Sequence, residues 1–365
     1  MNVLIFGRGR IADREYLPNM HQLARHLEPR ITLQVQCVDK GNADCIDVKS
    51  WQNDSNIRYE NIDKILILSP PEAHFENLSS VVDKYSSMKL PLPEIYIEKP
   101  IYLNSGYENW SKLLFDHADL EDHGFYIDHY RFKDTLTRYL KCKIDILDLI
   151  GRVNEIAFVS LEKREFWDST AFSQGYFLEH GCHLVSMLER AFPGIGELQW
   201  VPQQVRDWRV WEQVRRPQSC KGDSACIAFF TLAGGDRFSE LNTNTGLTVL
   251  IGKGMVDKKV LYLLGERGSV QIWFNDGILV VNADGNPLIV ENVVMANSYS
   301  RVVESIFSTH KEKGLLVPLR QGLSEQEKII TLRKYFPEHM GRYAVGKIPE
   351  EITRMIEEKH LYFRS

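Results

Sequence analysis

The 365-residue chain has no apolar run long enough to cross a bilayer, so a helical membrane-spanning protein is not expected. It has no excess of basic residues. Its 44 Lys and Arg stand against 49 Asp and Glu, a net charge of -5, and the electrostatic footprint of a nucleic-acid binder is missing. Cysteine is sparse and unpatterned. Cys37, Cys45, Cys142, Cys182, Cys220 and Cys226 include no C-x-x-C pair, which argues against a metal site or a disulfide frame and fits reduced thiols in a cytoplasmic protein. The first residues, "MNVLIFGRGR", have no basic segment ahead of their apolar stretch, so they read as a strand and not as a secretory signal. Repeats and low-complexity segments are also missing.

What is present is an ordinary globular composition, 44% hydrophobic and 25% charged, in a chain longer than one core usually fills. Two domains are expected. "NVLIFG" (2–7) is a continuous β-rich run that ends in glycine. Gly7, Gly9 and Ala12 then fit G-x-G-x-x-A. The first glycine permits a tight turn, the second lets backbone approach a pyrophosphate, and the small third residue lets helix pack on strand. Arg10, Ile11 and Ala12 open the helix and present its N–H groups to the phosphates. "TLQVQCVD" (32–39) ends in Asp39, which can accept both ribose hydroxyls and favours NAD; Lys40 beside it can instead meet the 2'-phosphate of NADP.

"DKILILSPPEAHFENL" (63–78) is a strand, a break and a helix, which puts Ser69, Pro70 and His74 at the carboxyl edge of the sheet. His74 either touches the cofactor or is a surface residue at the helix start. "PEIYIEKPIYLN" (93–104) carries Glu98 and Lys99 to the same edge, and Pro100 biases Lys99 towards extended geometry. Lys99 is thereby aimed at bound dinucleotide and substrate.

In "GYFLEHGCHLVSMLERAF" (175–192), Leu178, Cys182, Val185, Leu188 and Ala191 recur at helical spacing. Glu179 and His183 are four residues apart and share a face. A carboxylate behind an imidazole sets its tautomer and raises its basicity, the arrangement needed to take a proton from a hydroxyl. Tyr176 and Arg131 are further candidates to face substrate. His180 and Cys182 point apart on this helix, so no metal is expected. Beyond residue 225, "ACIAFFTLAGG", "LTVLIGKG", "KKVLYLLGERGSVQIWF" and "GILVVNADGNPLIV" read as strands joined by glycine turns, and two helices follow at "SYSRVVESIFSTH" and "LSEQEKIITLRKYF". "RDWRVWEQVRRPQS" (206–219) is rich in Arg and Trp and is either a substrate-side loop over an anion or an oligomer contact.

The N-terminal glycine fingerprint, "ILSPPEAHFENL" and "EKPIYLN", in that order, resemble the Gfo/Idh/MocA oxidoreductases. That resemblance implies a catalytic-site role for Lys99 and a cis bond at Pro100. The stretch from Glu179 to His183 is similar to the D-x-G-x-H helix of that family. Glu179 replaces the aspartate, Gly181 is kept, and His183 matches the usual acid/base. "DHYRFK" (128–133) looks like the Asp-His-Tyr-Leu-Gly-Lys stretch of glucose-6-phosphate dehydrogenases. This implies that His129 and Lys133 hold a sugar phosphate, as cationic donors for it. The family glycine is Phe132 here, which puts close backbone approach in doubt. The other reading of the cluster is a polar helix start at the surface.

The expected fold is α/β followed by α+β. A dinucleotide-binding Rossmann domain with a doubly wound parallel sheet covers 1–124, a substrate and oligomerisation domain with an open, mainly antiparallel sheet covers 125–337, and a helical tail covers 338–365. The expected function is an NAD-dependent (alternatively NADP-dependent) oxidoreductase acting on a secondary alcohol or ketone of a sugar, cyclitol or sugar phosphate. His183 is the general acid/base and Glu179 orients it. Lys99 holds the reacting oxygen, and Asp128, His129 and Lys133 bind substrate. Two alternatives stand beside it: an enzyme that uses tightly held NAD as a transient oxidant for epimerisation or elimination, and a non-catalytic dinucleotide sensor. No nucleic-acid or membrane partner is expected, and by analogy the protein is a homodimer or homotetramer.

Overall fold

The first strand, β1 (Asn2–Phe6), is apolar on both faces, as a strand covered from two sides must be. The computed structural model describes residues 1–27, 32–103, 106–162, 176–207, 225–253, 257–284, 286–308 and 315–334. Around β1 stand β2 (Gln34–Asp39), β3 (Ile46–Asp47), β4 (Lys64–Ile67), β5 (Glu94–Glu98) and β6 (Gly124–Ile127). Their order is β3-β2-β1-β4-β5-β6, all parallel, so the strand order reverses between β1 and β4.

Alternate residues of these strands enter two different cores. Leu4, Phe6, Ile65, Ile67, Ile95 and Ile97 pack with α2 (Pro71–Met88) and α3 (Tyr107–Asp116) on one face. Val3, Ile5, Leu66 and Tyr96 pack on the other. Their partners are Met20 of the first helix and Val302, Val303 and Ile306 of the late helix Ser298–Phe307. Each buried aliphatic side chain contributes about 1.5–3 kcal/mol, so the period-two pattern of β1 is enough to hold it central. The first helix begins at Arg10, passes through a π-type turn (Ala12–Tyr16) and continues as α1 (Leu17–Leu27).

α4 (Asp119–His123) leads into β6, and after β6 come a short 3₁₀ turn (His129–Phe132), α5 (Asp134–Lys141) and α6 (Lys143–Ile150). A second sheet follows. Its eight strands lie in the order β14-β13-β12-β11-β7-β10-β9-β8. They are β7 (Val153–Glu162), β8 (Gln199–Asp207), β9 (Ala225–Ala233), β10 (Leu241–Lys253), β11 (Lys258–Gly265), β12 (Gly268–Trp273), β13 (Ile278–Ala283) and β14 (Asn286–Asn292). Every neighbouring pair is antiparallel except β7 with β10. β8 is a strand that the sequence reading passed over.

One face of this sheet, including Ile156, Phe158, Leu261, Leu263, Val270 and Ile272, is covered by α5, α6 and α7 (Tyr176–Ala191). The chain then returns to the first sheet. α8 (Ser298–Phe307) lies against its core, β15 (Val317–Pro318) pairs antiparallel with β6, and α9 (Leu319–Lys334) packs beside β6 and α7. Both late helices are where the sequence placed them. The expected tail, 338–365, and all but the first two residues of the Arg/Trp-rich stretch 206–219 lie outside the described residues. Among the described residues no helix is long and apolar enough to cross a membrane.

Candidate active site

Parallel register carries four segments to one edge. β1 leads into Gly7, β4 into Ser69, β5 into Lys99 and β6 into Asp128, so all four lie at the carboxyl edge around the reversal of strand order. Gly7 has φ +91°, and a Cβ there would sit 2.4 Å from the Cα of Ser69. Glycine is what lets this turn close against the end of β4. Gly9 differs, because a Cβ there would meet nothing within 4 Å. Packing within the chain does not require glycine at position 9. Arg10, Ile11 and Ala12 form the first helical turn, the end at which a helix presents N–H groups to an anion.

Asp39 braces this loop. Its carboxylate accepts from the backbone N–H of Arg8 (2.7 Å) and of Lys40 (2.6 Å), while the Lys40 side chain is exposed. The Ser69 hydroxyl accepts from Asn77 Nδ2 (2.9 Å), and Pro70 stands exposed at the head of α2. His74 is not the surface residue that one expectation made it, being 1% exposed. Its Nε2 donates to the Ser69 carbonyl (2.6 Å) and its Nδ1 lies 3.2 Å from the Ile101 carbonyl. Burial pushes its pKa down to about 4, so a neutral ring ties the end of β4 to the segment after Lys99. The cause is the helix phase: α2 starts at Pro71, and by residue 74 the side chain has turned inward. The Lys99–Pro100 bond is cis.

Against this edge α7 brings His183, which is buried. Its Nδ1 donates to Asp128 Oδ1 at 2.7 Å, and the same oxygen accepts from the Tyr130 N–H at 2.9 Å. One expectation is corrected here: the carboxylate bonded to His183 Nδ1 is the fully buried Asp128 and not Glu179. Glu179 does share the helix face, but its charge acts on Lys99. Helical spacing marks neighbours along one element; the ring of His183 points across to another.

With Nδ1 engaged, Nε2 is left to take or give a proton. The His183 imidazole lies face to face with Tyr130, centroids 3.9 Å apart, and edge-on to His129 (5.0 Å) and His180 (5.3 Å). Burial, followed by the positive charges of Lys99, Lys259 and Lys133, pushes its pKa well below the ordinary histidine value. It is a neutral ring ready to act as a base. Lys99 is half-buried. Burial disfavours its charge, but Cys182, Glu179, Asp128 and Glu98 outweigh that and hold it above the usual lysine range.

Glu98 is 3% exposed and accepts from Tyr16 Oη at 2.5 Å. Burial raises its pKa to about 7, against the opposing pull of Tyr16 and Lys99. His129 stacks on Tyr299 at 4.6 Å, and burial together with His183 keeps it well below the ordinary histidine pKa. This corrects the expectation that it supplies a cation. Lys133 does carry charge near the site. Its Nζ stands 5.3 Å from the Tyr130 centroid, and burial with the nearby Lys259 lowers its pKa to about 8. Arg131 points away, its guanidinium buried against Glu325 of α9 at 3.3 Å. The side chain of Tyr176 lies outside the described residues.

Sequence reasoning missed Lys259. It pairs with Glu162 (2.8 Å), and its Nζ is 5.2 Å from the centroid of the same Tyr130 ring. Glu162 Oε1 in turn is 3.7 Å from His180 Nε2, and His180 Nδ1 is 3.0 Å from Ser160 Oγ. The signal was available in "KKVLYLL". Leu261 and Leu263 face the helix-covered core, so strand alternation puts Lys259, and not Lys258, on that side.

Asp128, Cys182 and His183 each offer a donor atom within 4.8 Å of the others. The Lys99 ammonium acts on this same space, and a hydrogen bond already joins imidazole to carboxylate. That chemistry suits an acid/base pair.

No protein-family profile matches the sequence, and no curated protein matches it. Solved structures do. An oxidoreductase from Thermotoga maritima is 15% identical, with 90% of this chain and 94% of that one covered and a TM-score of 0.63. Biliverdin reductase from Synechocystis sp., in complex with biliverdin and NADP+, is 15% identical over 91% and 98% of the two chains, with a TM-score of 0.62. UDP-N-acetylglucosamine 3-dehydrogenase from Acidithiobacillus ferrooxidans is 13% identical over 92% and 97%, with a TM-score of 0.60. At these identities the likeness is one of fold: a Rossmann sheet followed by a mainly antiparallel sheet, over about nine-tenths of the chain.

Proposed function

We propose that the protein is an NAD(P)-dependent oxidoreductase that interconverts a secondary alcohol and a ketone on a sugar or cyclitol carrying an anionic group. The observation that carries this reading is the 2.7 Å contact from His183 Nδ1 to Asp128, made beside Lys99 at the carboxyl edge of a parallel sheet. Neighbours of the same fold include a sugar-nucleotide dehydrogenase and a reductase bound to NADP+.

The residues fit a dinucleotide. Gly7 is required by its own turn, but Gly9 leaves a space that a Cβ would fill, at the start of a long helix. A pyrophosphate there would meet backbone N–H groups of Arg10, Ile11 and Ala12. Asp39 retains acceptor capacity on each oxygen for ribose hydroxyls, which favours NAD; Lys40 is the residue that would admit NADP. When bound, the nicotinamide supplies the acceptor or donor of hydride.

The chain's own residues handle the proton and the oxygen. Lys99 donates a hydrogen bond to the reacting oxygen and stabilises negative charge on it. His183 Nε2 takes the hydroxyl proton during oxidation and returns it during reduction. Asp128 fixes the Nδ1–H tautomer and stabilises the imidazolium. Lys133 and Lys259, both close to the Tyr130 ring, supply cations for a phosphate or carboxylate on the substrate.

The test is reduction of NAD and NADP by the purified protein, followed by absorbance, with each sugar or cyclitol paired with its phosphate. Turnover of phosphorylated members alone supports the whole reading. Turnover of free polyols keeps the dehydrogenase and removes the anionic group. Net turnover with neither, from a protein that carries a dinucleotide through purification, points instead to a recycled cofactor.

A further inference from the structure

Cys37 of β2 and Cys45, the residue before β3, both carry free thiols and are half-buried. The two strands run parallel, with Val38 paired to Ile46 and Asp39 to Asp47. One step back in that register, Cys37 and Cys45 stand level. Strand alternation turns both to one face. Val38 and Ile46 belong to the core under α2 and α3, whereas Cys37 packs on the opposite core with Tyr16 and Met20 of the first helix. Cys45, next to Ile46, turns the same way, and the two thiols are in hydrogen-bond contact. Paired strands lie about 4.8 Å apart, and a disulfide spans Cα separations of about 4.4–6.8 Å.

A cation stands over the pair. The Arg8 guanidinium hydrogen-bonds the Cys45 sulfur, and its Nη1 is 4.0 Å from Asp44 Oδ2. Arg8 is itself fixed, because its Nε donates to Asp13 Oδ1 at 3.1 Å and its backbone N–H to Asp39 at 2.7 Å. The two sulfurs differ in access. Cys45 follows a turn exposed at Lys40, Gly41, Ala43 and Asp44, whereas burial pushes the Cys37 thiol up to about 11. A partly exposed sulfur beside a cation is the one that meets an oxidant first.

We propose that Cys37 and Cys45 form a modification site, a dithiol that hydrogen peroxide converts reversibly to a disulfide. The Cys45 sulfur, as thiolate, attacks one peroxide oxygen. The O–O bond breaks, the other oxygen leaves as water with the proton that Cys45 gave up, and Cys45 becomes a sulfenic acid. The Cys37 sulfur then attacks the Cys45 sulfur. The S–O bond breaks, and the hydroxyl leaves with the Cys37 proton as a second water. The two thiols have lost two hydrogens, and one peroxide has become two waters. The bond ties the turn 40–45, which carries Lys40, to β2, and a thiol reductant frees it. None of this depends on the hydride chemistry proposed above.

The test treats the folded, full-length protein with hydrogen peroxide, blocks remaining thiols with N-ethylmaleimide and maps tryptic peptides by mass spectrometry. Trypsin cuts after Arg30, Lys40 and Lys49, which parts the two cysteines. Oxidised protein should yield peptides 31–40 and 41–49 joined, lighter by two hydrogens than their sum, and dithiothreitol should separate them. Cys45→Ser should lose the joined species. Cys37→Ala, which removes the resolving thiol, should leave Cys45 as a sulfenic acid that dimedone labels. These three results together establish the site. Recovery of the two peptides only as separate species overturns it, as does cross-linking of either cysteine to another cysteine or to a second copy of the chain. Absence of dimedone label at Cys45 in Cys37→Ala overturns the order of attack. Neither cofactor nor substrate is used, so failure of the dehydrogenase reading leaves this result untouched, and the reverse.

Discussion

The two halves of the candidate site are built in opposite ways. On the glycine-loop side, polar side chains are spent on backbone. Asp39 accepts loop N–H groups, and His74 ties two segments together through their carbonyls. On the α7 side, ionisable groups are pressed against one another. His183 is held neutral, Glu98 is driven up to about 7, and Lys133 is driven down to about 8. The difference separates shape from chemistry. A surface that holds a dinucleotide needs fixed backbone geometry, whereas a proton-transfer site needs charges that burial and neighbours have moved from their ordinary pKa values.

The largest test of that division is His183→Ala. It should lower turnover by roughly 10²–10⁴-fold. Dinucleotide binding, measured by fluorescence titration, should hold within a factor of about two, because a twofold change is under 0.5 kcal/mol. Equal losses in both would erase the distinction between the halves. Next comes Lys99→Met, expected to cost about 10²-fold in kcat. Lys99 lowers the His183 pKa, so its removal should raise it. The acidic limb of the oxidation profile should then move to higher pH; a limb that stays put or moves down would place Lys99 away from the base.

The other half is sharpened by Gly7→Ala. With φ at +91° and the Ser69 backbone in the way, the change should destabilise the fold by about 1–3 kcal/mol or more, seen as a lower denaturant midpoint. Gly9→Ala should leave that midpoint in place and weaken dinucleotide binding instead. A further test of the same half is the pH dependence carried by His74. Its folded pKa of about 4 lies below the unfolded value, so its contribution is present above about pH 6.5 and is lost as pH falls towards 4. Over that window wild type should lose up to about 1.4 kcal/mol per pH unit from this one group, and His74→Asn should show a shallower slope. A slope unchanged by the substitution would mean that the ring titrates in the fold at its unfolded value.

Much of the architecture was legible because it depends on local patterns. The run "NVLIFG", the glycine turn and the strand-break-helix at "ILSPPEAH" each carry their own signal, and the parallel order follows once helices separate strands. β8 was passed over because its residues, "QWVPQQVRD", alternate weakly and contain a proline. In the site, Lys99 and His183 were legible as residue types at informative positions. The partner of His183 was not. Glu179 satisfied the only distance a sequence supplies, four residues along a helix, while Asp128, 55 residues away in the chain, is the one in contact. His129 looked like a cation because its burial was invisible, and Lys259 went unread because its partners sit on β7 and in the 3₁₀ turn after β6.

By itself, then, the sequence determined the order of strands and helices, the glycine turn and the residue types that reach the sheet edge, since each depends on spacing within a few residues. Only the tertiary structure decided which charges share a space. Proton affinity is set by burial and by neighbours within a few ångströms, and those neighbours come from β5, β6, α7 and β11 together.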